Sequence, residues 1–379
     1  MSAAISIAGV GWVTPLGCEL EEVWGRLMNG HVAEAKPIAN PESGRVHHYA
    51  AVPPKLVEHL GRNPRLRRAS PISYFSVAAG LAALAQAGVA IGPEAAARCA
   101  VIFAVSSGSV VYTRKFYEGV VKNGANTASP MLFPETVYNA PASHLAAQLG
   151  IDGYSYTIVG DNSVGFAALK LAEQLLLAGE VERCLVVGAE EIDWILCEAY
   201  RDWRFAGSSS PPIPYAEHPT GALLAEGAGA VVLSREPGLA EIAQIHDGYS
   251  FGDRGEAKVA SRRVMDELHV ENVSDCVIGS ANGSWADAAE ADALGGSATP
   301  VICPRIALGE ALGASALWQV IAGVMALRKG ELPGITTAGE RAPRGIVREA
   351  RREPGLASAT VFATGLNQQA SGLVLRRAS

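Results

Sequence analysis

The chain has 379 residues, 49% of them hydrophobic and 18% charged, with a formal net charge of −7. That balance supports a large buried core and excludes a disordered chain, and the length predicts two domains or one large duplicated unit. The acidic charge disfavours nucleic acid as a partner, and no apolar run is long enough to predict a membrane span, so the expected setting is cytoplasmic.

Cys18, Cys99, Cys184, Cys197, Cys276 and Cys303 are scattered, with no CxxC pair and no clustered histidines. The spacing predicts neither disulfides nor a zinc site, and no metal or organic cofactor is expected. Cys99, Cys184, Cys276 and Cys303 sit at the edges of apolar runs and are predicted to be buried.

In chain order, residues 5–13 form a first strand, followed by Thr14-Pro15-Leu16-Gly17. The segment is too short, and lacks the basic start, for a signal peptide. Residues 17–30 carry a helix with Leu20, Val23, Trp24 and Leu27 at helical spacing, and residues 36–70 read as irregular. Within them Arg62, Arg65, Arg67 and Arg68 form a basic cluster, either a solvated loop or a docking patch for an acidic carrier protein. A helix over 71–88 and a strand over 99–106 follow. Residues 112–133 read as aromatic and irregular, and 135–150 as a helix in which His144 is a packing residue.

A strand at 154–159 enters the small-residue turn Gly160-Asp161-Asn162-Ser163-Val164-Gly165 and leaves as a helix apolar on nearly every face, closed by Gly179. Several enzyme folds present a nucleophile at such a turn, where the helix N-terminus favours an anion. Here the turn offers Asn162, which is no nucleophile. Next come a strand at 184–191, a loop containing Ser208-Ser209-Ser210-Pro211-Pro212, and a glycine-rich strand at 221–233.

The second half repeats the pattern. Strands are expected at 241–246, 276–280, 360–363 and 372–375, and a helix at 259–269. The 276–280 strand leads to Asn282-Gly283-Ser284, and Gly309-Glu310-Ala311-Leu312-Gly313 opens a long apolar helix through Leu317, Val320, Ile321, Val324 and Leu327. Two β/α halves, residues 1–235 and 236–379, suggest an internal duplication packed in layers.

Several stretches resemble the β-ketoacyl synthases of fatty-acid and polyketide assembly. Ile7 to Gly17 is similar to the family's opening "TGxGxVTPLG", 221–232 to "DGFVLGEGAGVLVL", and 305–330 to "KSxxGHxxGAAGxxxxIxxxLALxxG". Gly150-Ile151-Asp152-Gly153-Tyr154-Ser155 resembles the lead-in to the nucleophile strand, and Leu185 to Glu190 the strand after its helix. The likeness runs through the whole chain in order and implies a thiolase-like five-layer αβαβα fold.

The departures fall on the chemistry. Asn162 stands at the family's catalytic cysteine, Asn282 at its first histidine, Glu310 at its second and Arg305 at its lysine. The "GFGGxN" gate loop reads Gly365-Leu366-Asn367-Gln368-Gln369-Ala370. Condensation needs a thiolate to accept the acyl chain and imidazoles to hold the thioester carbonyl as an enolate forms. A carboxylate at 310 would instead repel an incoming malonyl group; at an effective dielectric near 20, like charges 4 Å apart cost about 4 kcal/mol, about a thousandfold in rate. Ser163, the other hydroxyl at the turn, reads as buried and hydrogen-bonded.

The resemblance therefore implies a non-catalytic, chain-length-factor-like subunit of type II fatty-acid, polyketide or aryl-polyene assembly. Its implied partners are an intact ketosynthase, joined as a heterodimer, and an acyl carrier protein. The strand at 154–159 would lie at the two-fold interface, with Phe116 and Phe133 as candidate stops of the acyl tunnel. Two rival readings are an acyl-thioester transferase, hydrolase or decarboxylase that uses Asn162 to position its substrate, and a standalone homodimeric acyl-binding protein.

Overall fold

The computed structural model describes all residues except 1–4, 91, 208–210, 269, 271–273, 367–368 and 379. Ser208, Ser209, Ser210, His269, Asn367 and Gln368, each read above from the sequence, therefore lie outside the described residues.

Fifteen strands are present among the described residues. They are β1 (Ile5–Val13), β2 (Ala35–Ala39), β3 (Val46–Ala50), β4 (Cys99–Val105), β5 (Ser155–Val159), β6 (Arg183–Glu190), β7 (Gly227–Ser234) and β8 (Ala240–Ile245). Then come β9 (Tyr249–Ser250), β10 (Cys276–Ile278), β11 (Val301–Ile302), β12 (Glu331–Leu332), β13 (Arg351–Arg352), β14 (Ser358–Thr364) and β15 (Gln369–Arg377).

The main sheet runs β11-β10-β14-β15-β8-β1-β7-β6-β4-β5. It divides at β1, which pairs with β8 over Ile5–Ile7 and with β7 from Ser6 to Val13 across a register shift between Ile7 and Gly9. On one side the order β1-β7-β6-β4-β5 is antiparallel, antiparallel, parallel, parallel. On the other, β8-β15-β14-β10-β11 repeats the same four relations in the same order. The repeat read from the sequence is thus visible in the hydrogen-bond ladders.

Alternation along each strand builds the layers. Ile102, Val231, Ile278 and Val361 face a central core that holds the helices Val164–Ala178 and Ser315–Lys329. Val101, Phe103 and Val232 face outward on one side, under the helices Pro71–Gln86 and Ala140–Leu149. Val277 and Phe362 face outward on the other, under Arg254–Glu267 and Asp287–Leu294. The result is the thiolase-like five-layer αβαβα arrangement. The two central helices approach closely because residue 165 is glycine: a Cβ there would lie 2.8 Å from Ala316 Cβ. Among the described residues no helix is long and apolar enough to cross a membrane.

Three local expectations need correction. Residues 36–70 are not wholly irregular, because β2 and β3 pair antiparallel. The hairpin is half-exposed and carries Pro37, so its period-two signal is weak; Asn40 Oδ1 organises the turn by accepting from Glu42 N and Ser43 N at 2.9 and 3.2 Å. Residues 112–133 open in a helix, Val110–Asn123, with no buried residue. Val110, Val111, Thr113, Val120 and Val121 lower its helix propensity, and no apolar stripe announces it. The helix Trp194–Asp202 was not anticipated; Asp193 caps it, its carboxylate accepting from Ile195 N at 3.2 Å.

Candidate functional site

The first element of the site is the turn after β5. The helix Val164–Ala178 begins immediately beyond it, which leaves Asn162 at the junction, fully buried. The second is the loop after β10, shaped by Asp287. Its carboxylate accepts from Asn282 N at 3.0 Å, Gly283 N at 2.9 Å and Tyr215 N at 3.0 Å, and so points Asn282 inward. The third is the link between the helices Pro304–Leu308 and Ser315–Lys329, where Gly309 (φ +87°) turns the chain and Glu310 follows. Arg305 projects from the shorter of these helices.

These three elements bring Asn162, Asn282, Arg305 and Glu310, named from the sequence, into one buried cluster. Glu310 is its centre. Its Oε2 accepts from Asn282 Nδ2 at 2.6 Å, Arg305 Nη1 at 2.9 Å and Asn162 Nδ2 at 3.2 Å. Its Oε1 accepts from Ser315 Oγ at 2.5 Å and Leu312 N at 3.0 Å. Leu312 donates that bond from a left-handed conformation (φ +43°), a local strain the cluster holds in place. Arg305 and Glu310 form an ion pair whose side chains have no exposed surface.

Gln319, which the sequence did not flag, completes the arrangement. Its Nε2 donates to Ile278 O at 3.1 Å and Phe362 O at 2.9 Å, which turns its Oε1 toward Arg305 Nη2 at 2.5 Å. Arg305 Nη2 also donates to Asn162 O at 3.0 Å. The only hint in the sequence was a lone amide within an otherwise apolar helix run. Asn162 Oδ1 and Arg305 Nε have no hydrogen-bond partner among the described residues.

A carboxylate with five donors and a guanidinium already paired have little left to offer a substrate. Arg305 cannot act as a base, and no described histidine belongs to the cluster. Ser163 is buried and donates to Asp161 Oδ1 at 2.8 Å, as expected from the sequence. Nor is a thiol poised elsewhere: burial pushes Cys99 up to about 11, and Cys184, Cys197 and Cys276 up to about 12. Cys303 is likewise raised by burial, with the Glu290 carboxylate adding to it. Cys99, Cys184, Cys276 and Cys303 are all buried, as read from their positions.

A cleft of about 470 Å³ opens beside the turn, lined by Gly160 and Asp161 among others; Asn162, Asn282, Arg305 and Glu310 do not line it. Phe116 and Phe133, the tunnel candidates, lie elsewhere. Their rings pack together with centroids 5.8 Å apart, and Phe133 is 57% exposed. His144 Nε2 lies 2.7 Å from Glu135 Oε1, a packing role consistent with its reading. Arg62, Arg65, Arg67 and Arg68 are all exposed.

Burial raises Glu190 to about 8, and Glu191, Glu226 and Asp287 to about 7, against the pull of the N–H donors each accepts. In the unfolded chain these carboxyls ionise near 4, so folding costs progressively more as pH rises from there through 7–8. Thermal stability is therefore expected to fall by several degrees between pH 5 and pH 8. A melting temperature that rises over that interval would show that these acids are ionised at no cost.

The model of the "Beta-ketoacyl synthase, N-terminal domain" family matches residues 2–237, more than half of the chain. A nodulation protein E from Rhizobium sp. (strain N33) is 24% identical over 367 residues, covering 90% of each chain. Among solved structures, the ishigamide ketosynthase/chain length factor superposes with a TM-score of 0.87 at 19% identity, over 99% of both chains. A ketosynthase in complex with its chain length factor from Xenorhabdus doucetiae gives 0.80 at 18% identity, over 99% of this chain and 98% of that one. These structural likenesses bear on the fold. The family match bears on descent, and by it this chain belongs to the beta-ketoacyl synthase family.

Proposed function

We propose that the chain is a non-catalytic, chain-length-factor-like homologue that pairs with an active ketosynthase and shapes its acyl tunnel in type II fatty-acid or polyketide-type assembly. The observation that carries this reading is the convergence of Asn162, Asn282 and Arg305 on Glu310. Every position at which the family places its chemistry is spent on holding one internal carboxylate. The rival enzymatic reading asks Asn162 to hold a thioester, but its amide already donates to Glu310.

The surface supports a partner. β5 ends the main sheet and leaves an open edge, a feature that isolated proteins normally cover. Tyr154, Tyr156 and Val159 are 39, 41 and 49% exposed along it, and the two tyrosine rings stack 6.3 Å apart. The helix Val110–Asn123 and the segment after it add Tyr117, Val121, Met131 and Phe133, all exposed. A second synthase-fold subunit seated there would cover the edge and enclose Phe116 and Phe133 at its own acyl tunnel, and an acyl carrier protein would deliver the chain to that partner.

Co-expression with an intact ketosynthase tests the tunnel role. Phe116→Ala or Phe133→Ala is expected to shift the products toward longer chains while turnover by the partner stays within about twofold. Unchanged product length with both variants would remove these two residues from the tunnel.

A further inference from the structure

The main sheet ends at β11 on the side away from β5, and the segment that covers this end concentrates positive charge. Residues 341–352 hold Arg341, Arg344, Arg348, Arg351 and Arg352 against one acid, Glu349, in a chain whose net charge is −7. The segment is pinned to β11: Val301 N donates to Gly345 O at 2.9 Å, and Val347 N to Val301 O at 3.0 Å. Val347 O in turn accepts from Ile335 N at 2.8 Å. Its far end packs against Gly334, where a Cβ would lie 2.6 Å from Ala350 N. The arginines therefore rise from a backbone that is held in place.

Arg344, Arg348 and Arg351 line one open cleft of about 670 Å³, together with the apolar surface of Ala342, Pro343 and Ile346. Arg351 is paired with Glu353 at 2.9 Å, while Arg341 and Arg352 face Glu217 and Glu331 at 3.7 and 3.8 Å. Arg344 and Arg348 are exposed, and their side chains form no ion pair or hydrogen bond among the described residues. Glu349, the one acid in the lining, is ion-paired with neither of them. Free guanidiniums on a concave surface present parallel N–H donors that match the oxygens of a phosphate. A membrane or a nucleic acid would need an extended basic face, whereas this charge is confined to a short segment of an acidic chain. The cleft is of small-ligand size, within the usual range of about 300–1,000 Å³. Two uncompensated cations beside a third favour a ligand with at least two negative charges.

We propose that this cleft binds a diphosphate group, free or carried by a nucleotide, held by Arg344 and Arg348 with Arg351 beside them. The site lies at the end of the sheet away from β5, so the proposal stands whether or not the chain pairs with a synthase.

Isothermal titration calorimetry of the full chain, at fixed ionic strength and without divalent cations, provides the test. ADP is expected to bind saturably and at least about tenfold more tightly than adenosine, which lacks the diphosphate. Inorganic pyrophosphate that matches ADP assigns recognition to the diphosphate alone; weaker pyrophosphate binding assigns it to the nucleotide. Arg344→Gln and Arg348→Gln, both at exposed positions, are each expected to weaken ADP binding about tenfold with an unchanged melting temperature. Arg67→Gln, in the other basic cluster, is expected to leave binding unchanged. Adenosine binding as tightly as ADP, no saturable heat from either diphosphate, citrate binding as tightly as pyrophosphate, or an equal loss from Arg67→Gln would each overturn the proposal.

Discussion

Replacing Arg305 with methionine is expected to destabilise the protein by about 3–5 kcal/mol, the usual cost of removing one partner from a fully buried ion pair. The cost arises because the Glu310 carboxylate stays where water cannot reach it, with no cation to balance it. Gln319 Oε1 and Asn162 O lose their guanidinium donor in the same step. Adding Glu310→Gln to Arg305→Met should restore part of the loss, since the amide removes the unbalanced charge while its oxygen remains an acceptor for the cluster's other donors. Urea unfolding midpoints of the two singles and the double give the coupling directly. A single-variant loss below about 1 kcal/mol would mean that the pair is not the buried anchor described here.

The second large effect is an absence. Asn162→Cys puts a thiol at the turn where the resemblance to the family places its nucleophile, yet condensation is expected to stay below detection with an acyl primer and a malonyl carrier. Asn282 and Glu310 remain where imidazoles would be needed to hold the enolate oxygen. The new thiol would also be poorly activated. A helix N-terminus lowers a thiol pKa, but the side chain at 162 is fully buried and touches the Glu310 carboxylate, and both of those oppose ionisation. The variant is therefore expected to react slowly with cerulenin, and the natural chain to give no adduct by intact-protein mass spectrometry. Chain extension by the single variant would show that the chemistry of the site has been misassigned.

Much of the site was legible because the resemblance fixed positions rather than contacts. Asn162, Asn282, Arg305 and Glu310 could each be placed on a motif. That the first three would all bond the fourth could not be read, since those contacts span up to 148 positions in sequence. Gln319 was missed because a single amide in an apolar helix does not say which carbonyls it will reach. The duplicated strand order was anticipated from two similar runs of strands and buried helices, whose apolar patterns are strong because both faces of the inner strands are covered. The hairpin β2–β3 and the helix Val110–Asn123 escaped for the opposite reason: both are half-exposed, so burial imposes no period on their sequence. The cleft beside the turn was equally hidden, since Asp161, Tyr200 and Trp285, which line it, come together only through the fold.

What the exposed edge at β5 meets decides the proposed function. Co-expression of this chain with an intact Cys-His-His ketosynthase from the same source, followed by size-exclusion chromatography with native mass spectrometry and product analysis, addresses it most directly. The expected result is a one-to-one heterodimer whose products differ in chain length from those of the synthase alone, with Tyr156→Glu on the edge strand disrupting it. A stable homodimer that ignores the synthase and leaves its products unchanged would contradict the account.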